Sequence, residues 1–297
     1  ASPASGVDQR PVFGGFAGGE TSIDARDPVG NPPILDRDFN GDDEPGFLHR
    51  ADNAYTVIRS ELTVAPTRLD GVVVKGGFAT GGGTDYGGGM VVSRGEIVIE
   101  RCLFIDNGAE VYGGGLALVS TTDVVVRDTV FTANATNPNG AFGFGGGVWI
   151  ARSVARFDRC AFGLNAALAD INATGGAVYL STTTTPTLFR DCLFTANLAA
   201  GGSNSSGGAI SASGAEIDLL RCRFINNRAA DAAVGSWGGG VWVEGRVGDF
   251  ARVVGCEFLG NEAQLGGGIG TSDQFGEIRI AGSVLAANTA DFGGGIY

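Results

Sequence analysis

Ile97-Val98-Ile99-Glu100-Arg101-Cys102-Leu103-Phe104-Ile105-Asp106-Asn107 is the stretch that decides the fold. Ile97 and Ile99 stand two apart, the period of a strand with one face inward. The step from Ile99 to Cys102 is three, so Glu100 and Arg101 must turn a corner if Cys102 and Phe104 are to face the same interior. Asn107 follows Phe104 by three. The pattern returns as Ile217, Leu219, Cys222, Phe224 and Asn227, with its bend at Leu220-Arg221. Further bends fall at Arg127-Asp128, Asp158-Arg159 and Arg190-Asp191, and charged pairs suit an exposed corner.

Working outward, the repeat closes on Asn107, Asn134, Asn165, Asn197, Asn227, Asn261 and Asn288, at spacings of 27, 31, 32, 30, 34 and 27 residues. Glycine clusters interleave with these, each launching an apolar run such as Gly145-Gly146-Gly147-Val148 or Gly207-Gly208-Ala209-Ile210. Strand-length pieces at a period near thirty predict a solenoid in which each unit buries its face against the next. Three short strands per coil predict an all-β, right-handed, single-stranded parallel β-helix of about ten coils, about 45–50 Å long at the spacing of paired strands. Residues 1–11 read as a flexible segment, 12–70 as N-terminal coils with an inserted acidic loop, and 71–297 as regular repeats. A propeller of the WD type needs four strands in ~40 residues and another signature. Sustained 3.6-residue periodicity is absent, so few helices are expected.

The recurring asparagines are expected to form a buried ladder, each amide bonding the turns above and below. Leaving such groups unpaired would cost on the order of 1–3 kcal/mol each. Cys102, Cys160, Cys192, Cys222 and Cys256 share one repeat position, which Thr129 and Ser283 fill in other copies. This predicts a column of small buried side chains. A bridge within Cys160–Cys192 or Cys192–Cys222 is sterically conceivable, but the odd count and the Thr and Ser replacements show that no bond is needed. The glycine clusters lack a following Lys-Ser/Thr, and eight copies cannot all cradle phosphate. They are read as corners that need positive φ and close backbone approach.

The chain has 52 glycines in 297 residues and a net charge of −12. That charge argues against nucleic acid or an anionic membrane as partner, and no apolar stretch is long enough to span a bilayer. The start at Ala1-Ser2-Pro3-Ala4-Ser5 and the Lys-poor surface fit a secreted, extracellular setting at the cell surface.

The Gly207-Gly208-Ala209-Ile210 and Phe224-Ile225-Asn226-Asn227 motifs resemble the repeats of bacterial polymorphic outer-membrane proteins. The N-terminal third resembles the opening module of secreted β-helix proteins of the choice-of-anchor surface group. It carries Phe13-Gly14-Gly15-Phe16-Ala17-Gly18-Gly19-Glu20, then Asn31-Pro32-Pro33-Ile34-Leu35, Asp52-Asn53-Ala54-Tyr55 and Leu69-Asp70-Gly71. The resemblance implies a secreted surface protein with a β-helix fold and leaves activity open. Neither end shows an obvious cap, so Val12, Phe13 and Phe16 at one end and Ile296 and Tyr297 at the other are expected to stack copies head to tail into filaments.

Three stretches have chemical potential. Asp36, Asp38 and Asn40 with Gly41, followed by Asp42 and Glu44, have the rhythm of the first half of a calcium loop, although Phe47 stands where a bidentate Glu is expected. A structural Ca2+ is therefore weighed against a solvated acidic loop. Pectate-lyase-like and polygalacturonase-like enzymes share the expected fold, but Asp106, Glu110, Asp170 and Asp231 scatter over the repeats, and His49 stands alone. Fold analogy by itself does not establish catalysis. Trp149, Tyr179 and Trp242 follow the glycine clusters at one outward position, and Tyr86, Tyr112, Phe144, Trp237 and Phe292 precede them. Stacked along an edge, these aromatics form either a glycan platform or a ladder packed on itself. The expected function is non-catalytic and structural, a building block of a surface layer or fibre. A polysaccharide lyase or glycoside hydrolase, or a glycan-binding adhesin, is the alternative.

Overall fold

The computed structural model describes residues 11–44, 49–61, 67–80, 86–136, 139–183, 185–231, 233–245, 249–272, 274 and 276–297. Of the expected flexible segment only Pro11 falls within them, and Phe47 lies outside them. The chain winds into an all-β parallel solenoid of about seven turns. Two 3-10 turns, Ile23–Ala25 and Arg50–Asp52, are the only helical pieces among the described residues.

Three long sheets run the length of the stack. One has nine strands, from Val12–Phe13 to Glu277–Ala281; another has nine, from Ile34–Asp36 to Val284–Ala286; the third has eight, from Ile58–Glu61 to Ile269–Thr271. Register is constant from turn to turn: Val124 pairs with Ile97 and with Ala155, and Phe131 with Phe104 and Phe162. Two shorter sheets, of six and four strands, are added between Phe78–Ala79 and Gly235–Trp237. The middle turns therefore carry up to five strands where three were expected. The additional ones, such as Ala166–Ala169 and Asn172–Thr174, are rich in Ala and small polar residues, with Leu168 the one large apolar side chain in these two. Such segments have no alternation of large apolar residues to announce them. The expected ten coils are likewise more than the observed turns.

The corners stand where parity breaks. Arg101, Asp128, Arg159, Asp191 and Arg221 all adopt left-handed backbone, φ 49 to 55, which lets both flanking strands face inward. A second left-handed corner precedes the ladder asparagines, at Asp106, Ala133, Leu164, Ala196, Asn226, Gly260 and Ala287. Non-glycine residues pay strain of about 1–3 kcal/mol in this region, and the stack holds them there. Gly146 shows the close approach: a methyl at its Cα would run into the Ala166 and Gly176 carbonyl oxygens.

Inside, Phe104, Phe131, Phe162, Phe194, Phe224 and Phe258 form one column with ring centroids 4.5–5.1 Å apart. Rungs ~4.8 Å apart bring identical rings directly into stacking distance. Each contact adds about 0.5–1.5 kcal/mol beyond burial. Beside it runs the asparagine ladder. Asn134 Nδ2 donates to Asn165 Oδ1 at 3.1 Å and to the Phe104 carbonyl at 2.9 Å, and its backbone N–H donates to the same Asn165 oxygen. The pattern repeats through Asn197, Asn227 and Asn261 to Asn288, and Asn107 opens it on Val74 O.

All five cysteines are buried free thiols. Cys160 Sγ donates to Val126 O one turn back and to Asp158 O, while Thr129 and Ser283 hydroxyls accept from the Cys102 and Cys256 backbone N–H groups. A small donor–acceptor is what the position requires, and sulfur and oxygen both serve.

Candidate functional site

The first candidate is the charged corner. Asp70, Glu100, Arg127, Asp158 and Arg190 occupy successive rungs of one column. Beside it, Arg101, Asp128, Arg159, Asp191 and Arg221 form a second column, in which the sign alternates at every turn. Arg159 meets Asp128 at 2.7 Å, Arg221 meets Asp191 at 2.7 Å, and Arg190 meets Asp158 at 2.8 Å. The Arg159 and Arg221 hydrogen bonds hold the Asp128 and Asp191 carboxyls below the usual range. Sequence reading found the polar corner pairs but not their alternation, which appears only when the repeats are aligned rung by rung.

At the N-terminal end the column turns inward. The Asp70 side chain is fully buried and Glu100 nearly so. Arg26, Arg68 and Arg101 converge on Asp70, and Arg68, Arg101 and Arg127 on Glu100. Burial alone would raise the Asp70 carboxyl. The Arg26 and Arg101 hydrogen bonds outweigh it and hold the group below its ordinary value. Two adjacent buried carboxylates under four guanidinium groups are a structural clamp. Asp70 is thereby held in its charged form. The clamp also reaches an expected assembly residue: Arg26 and Arg68 lie over the Phe13 ring, 5.0 and 5.7 Å from its centroid. Val12 and Phe16 remain exposed, as do Ile296 and Tyr297.

The second candidate is the acidic loop. Asp38, Asp42 and Asp52 bring a carboxylate oxygen each within 4.8 Å of one another, the only such group of three among the described residues. Asp38 accepts from the Gly41, Asp42 and Asp43 backbone N–H groups, and Asp52 accepts from that of Asn40. Asp36 faces elsewhere, toward Lys75 Nζ at 3.3 Å. Of the expected ligand set Asp38 and Asp42 converge, and Asp52, beyond the reach of a local motif, joins them. Three hard oxygens suit Ca2+, which needs six to eight. His49, in left-handed backbone, opens the 3-10 turn that carries Asp52.

The third candidate is the aromatic face. Two columns run side by side. Tyr86, Tyr112 and Phe144 lead to Thr174, Ser206, Trp237, Leu265 and Phe292. Val91 and Ala117 lead to Trp149, Tyr179, Ser211, Trp242 and Gly270. Tyr112 stacks on Trp149 at 4.3 Å and on Phe144 at 5.1 Å, and Phe144 approaches Tyr179 at 5.0 Å. The outward position is therefore less open than the sequence suggests: Trp149 and Tyr179 are half-buried and Trp242 is only 8% exposed. Burial raises the Tyr179 phenol. The row is broken at Thr174, Ser206 and Ser211, where small hydroxyl residues replace rings.

The fold places the chain among parallel β-solenoids. No protein-family model matches it, and neither a curated protein nor a solved structure shows a significant match. No helix among the described residues is long and apolar enough to cross a membrane.

Proposed function

We propose that this chain is a non-catalytic extracellular structural protein, a right-handed β-solenoid block of a cell-surface layer or fibre. The right hand follows the general rule for parallel crossover connections. The observation that carries the reading is the fate of the buried acids. Asp70 and Glu100 are neutralised by Arg26, Arg68, Arg101 and Arg127, whereas hydrolysis of a glycosidic bond needs one carboxyl kept protonated beside another. The resemblance of the Gly207-Gly208-Ala209-Ile210 and Phe224-Ile225-Asn226-Asn227 motifs to polymorphic outer-membrane-protein repeats supports the surface location.

End-to-end association belongs to the same reading. The outermost strand Val284–Ala286 presents exposed Val284, and Ile278, Ile280 and Leu285 are only partly buried. A further parallel strand, from a second copy or from more of the same chain, would cover them. Calcium on Asp38, Asp42 and Asp52 would stiffen the inserted loop.

Incubation with uronate and neutral polysaccharides tests the reading, with released ends as readout. No product is expected. Turnover removed by acid-to-amide changes would replace the scaffold with an enzyme. Electron microscopy tests association: filaments are expected, and monodisperse short rods at high concentration would refute it.

A further inference from the structure

We infer that the break in the aromatic face is a binding site for one pyranose unit of a neutral glycan; the assignment rests on the non-catalytic reading above. The ladder of rings on this face is interrupted for one rung in one column, at Ser211 between Tyr179 and Trp242. In the other column it is interrupted for two rungs, at Thr174 and Ser206 between Phe144 and Trp237. The gap is a real cleft, with a cavity of about 440 Å³. That volume lies in the lower part of the ~300–1,000 Å³ range of small-ligand sites.

Its walls and floor differ in chemistry. Phe144 and Tyr179 form one wall and Trp237 and Trp242 the other. The Trp242 ring lies over Gly270, where an added Cβ would come within 2.9 Å of it, and Ser211 sits buried at the bottom of the gap. Any side chain at 270 would push it back. The floor is polar. Thr174, Ser206 and Ser211 line it beside Asn172 and Asn204. Asn204 Nδ2 donates to Asn172 Oδ1 at 2.9 Å, which leaves the second Asn204 N–H and the Asn172 amino group to face a ligand.

Aromatic walls with amide and hydroxyl groups between them suit a saturated ring that has C–H faces and hydroxyl edges. Charge narrows the class. Glu244 is the only acidic lining residue and none of the lining residues is Lys or Arg, so uronates, sulfated sugars and phosphates meet repulsion with no compensating cation. Glu244 is held at the rim, where Oε2 accepts from Trp242 Nε1 at 3.3 Å and Oε1 from Ser213 at 2.6 Å.

The test is calorimetric titration of the intact chain with cello-, xylo-, malto- and chito-oligosaccharides, and with oligogalacturonate as the anionic control. Two variants accompany the wild type. Ser211→Trp restores the missing ring and fills the cleft, and Trp237→Ala removes a wall; thermal melting of each reports folding. At least one neutral oligosaccharide is expected to bind, with a tenfold or greater loss in both variants and an unchanged melting temperature in at least one. The site is refuted if no neutral oligosaccharide binds, if oligogalacturonate binds more tightly, or if binding survives Ser211→Trp. Sugar products in the titration cell would instead sink the non-catalytic reading, so the two failures are told apart.

Discussion

The side-chain amide of Asn165 donates to Asn197 Oδ1 at 3.0 Å, and the Asn165 backbone N–H reaches the same oxygen at 3.1 Å. One side chain thus closes the turn above and accepts from Asn134 below. Asn165→Ala strips Asn134 of an acceptor shared by two N–H groups and leaves Phe131 O without its donor. The expected loss in unfolding free energy is about 2–4 kcal/mol, read by urea denaturation. Arg221→Ala, at an exposed corner, should change little in the same experiment.

Asp70 makes stability depend on acid. Its carboxyl is held below the ordinary value in the fold, so its contribution is complete above about pH 3.9, the unfolded value. It is lost as pH falls through the lower, folded value. Wild type should keep its stability from neutral pH down to about pH 4 and lose it below. Asp70→Asn leaves the buried Arg26 guanidinium without its carboxylate, at a cost of about 3–5 kcal/mol. The gap between the two proteins should narrow only in the acid range, as measured by denaturant midpoints across pH.

The thiols should be silent until the chain unfolds. Burial pushes the Cys102 thiol up to about 11. Hydrogen bonding between stacked thiols, with burial, raises Cys192, Cys222 and Cys256 further. At pH 8 a disulfide reagent should label none of the five in the native protein and all five in guanidinium. Native labelling of any one would show that the column opens.

Calcium is checked by melting with millimolar Ca2+ and after chelation. A higher melting temperature with Ca2+ is expected, abolished in Asp52→Asn and kept in Asp36→Asn, since Asp36 turns to Lys75. No shift in the wild type would leave the loop as a solvated acidic turn.

The repeat was legible because its signals are local: Ile97, Ile99, Cys102, Phe104 and Asn107 give strand, bend, strand and ladder within eleven residues. Buried amides and stacked phenylalanines follow directly once the turns are set in register. Less was legible where a feature depends on what lies one turn away. The alternation through Arg101, Asp128 and Arg159 needs exact rung assignment, and Asp52 enters the acidic cluster only through the fold. The fourth and fifth strands are short and lack a regular alternation of large apolar residues, and their pairing comes from neighbouring turns. The missing ring at Ser211 can be read from its place after the glycine cluster, whereas the cleft it shares with Thr174 and Ser206 needs the pairing of the turns.

Native-state hydrogen exchange at the ladder amides tests the stacked architecture most directly. The Asn134, Asn165, Asn197 and Asn227 backbone N–H groups all donate to a buried side-chain oxygen of the following turn. They are predicted to exchange only through global opening, with one common protection free energy equal to that from denaturant unfolding. Rapid exchange at these four positions in a folded protein would contradict the ladder and the register on which every other conclusion stands.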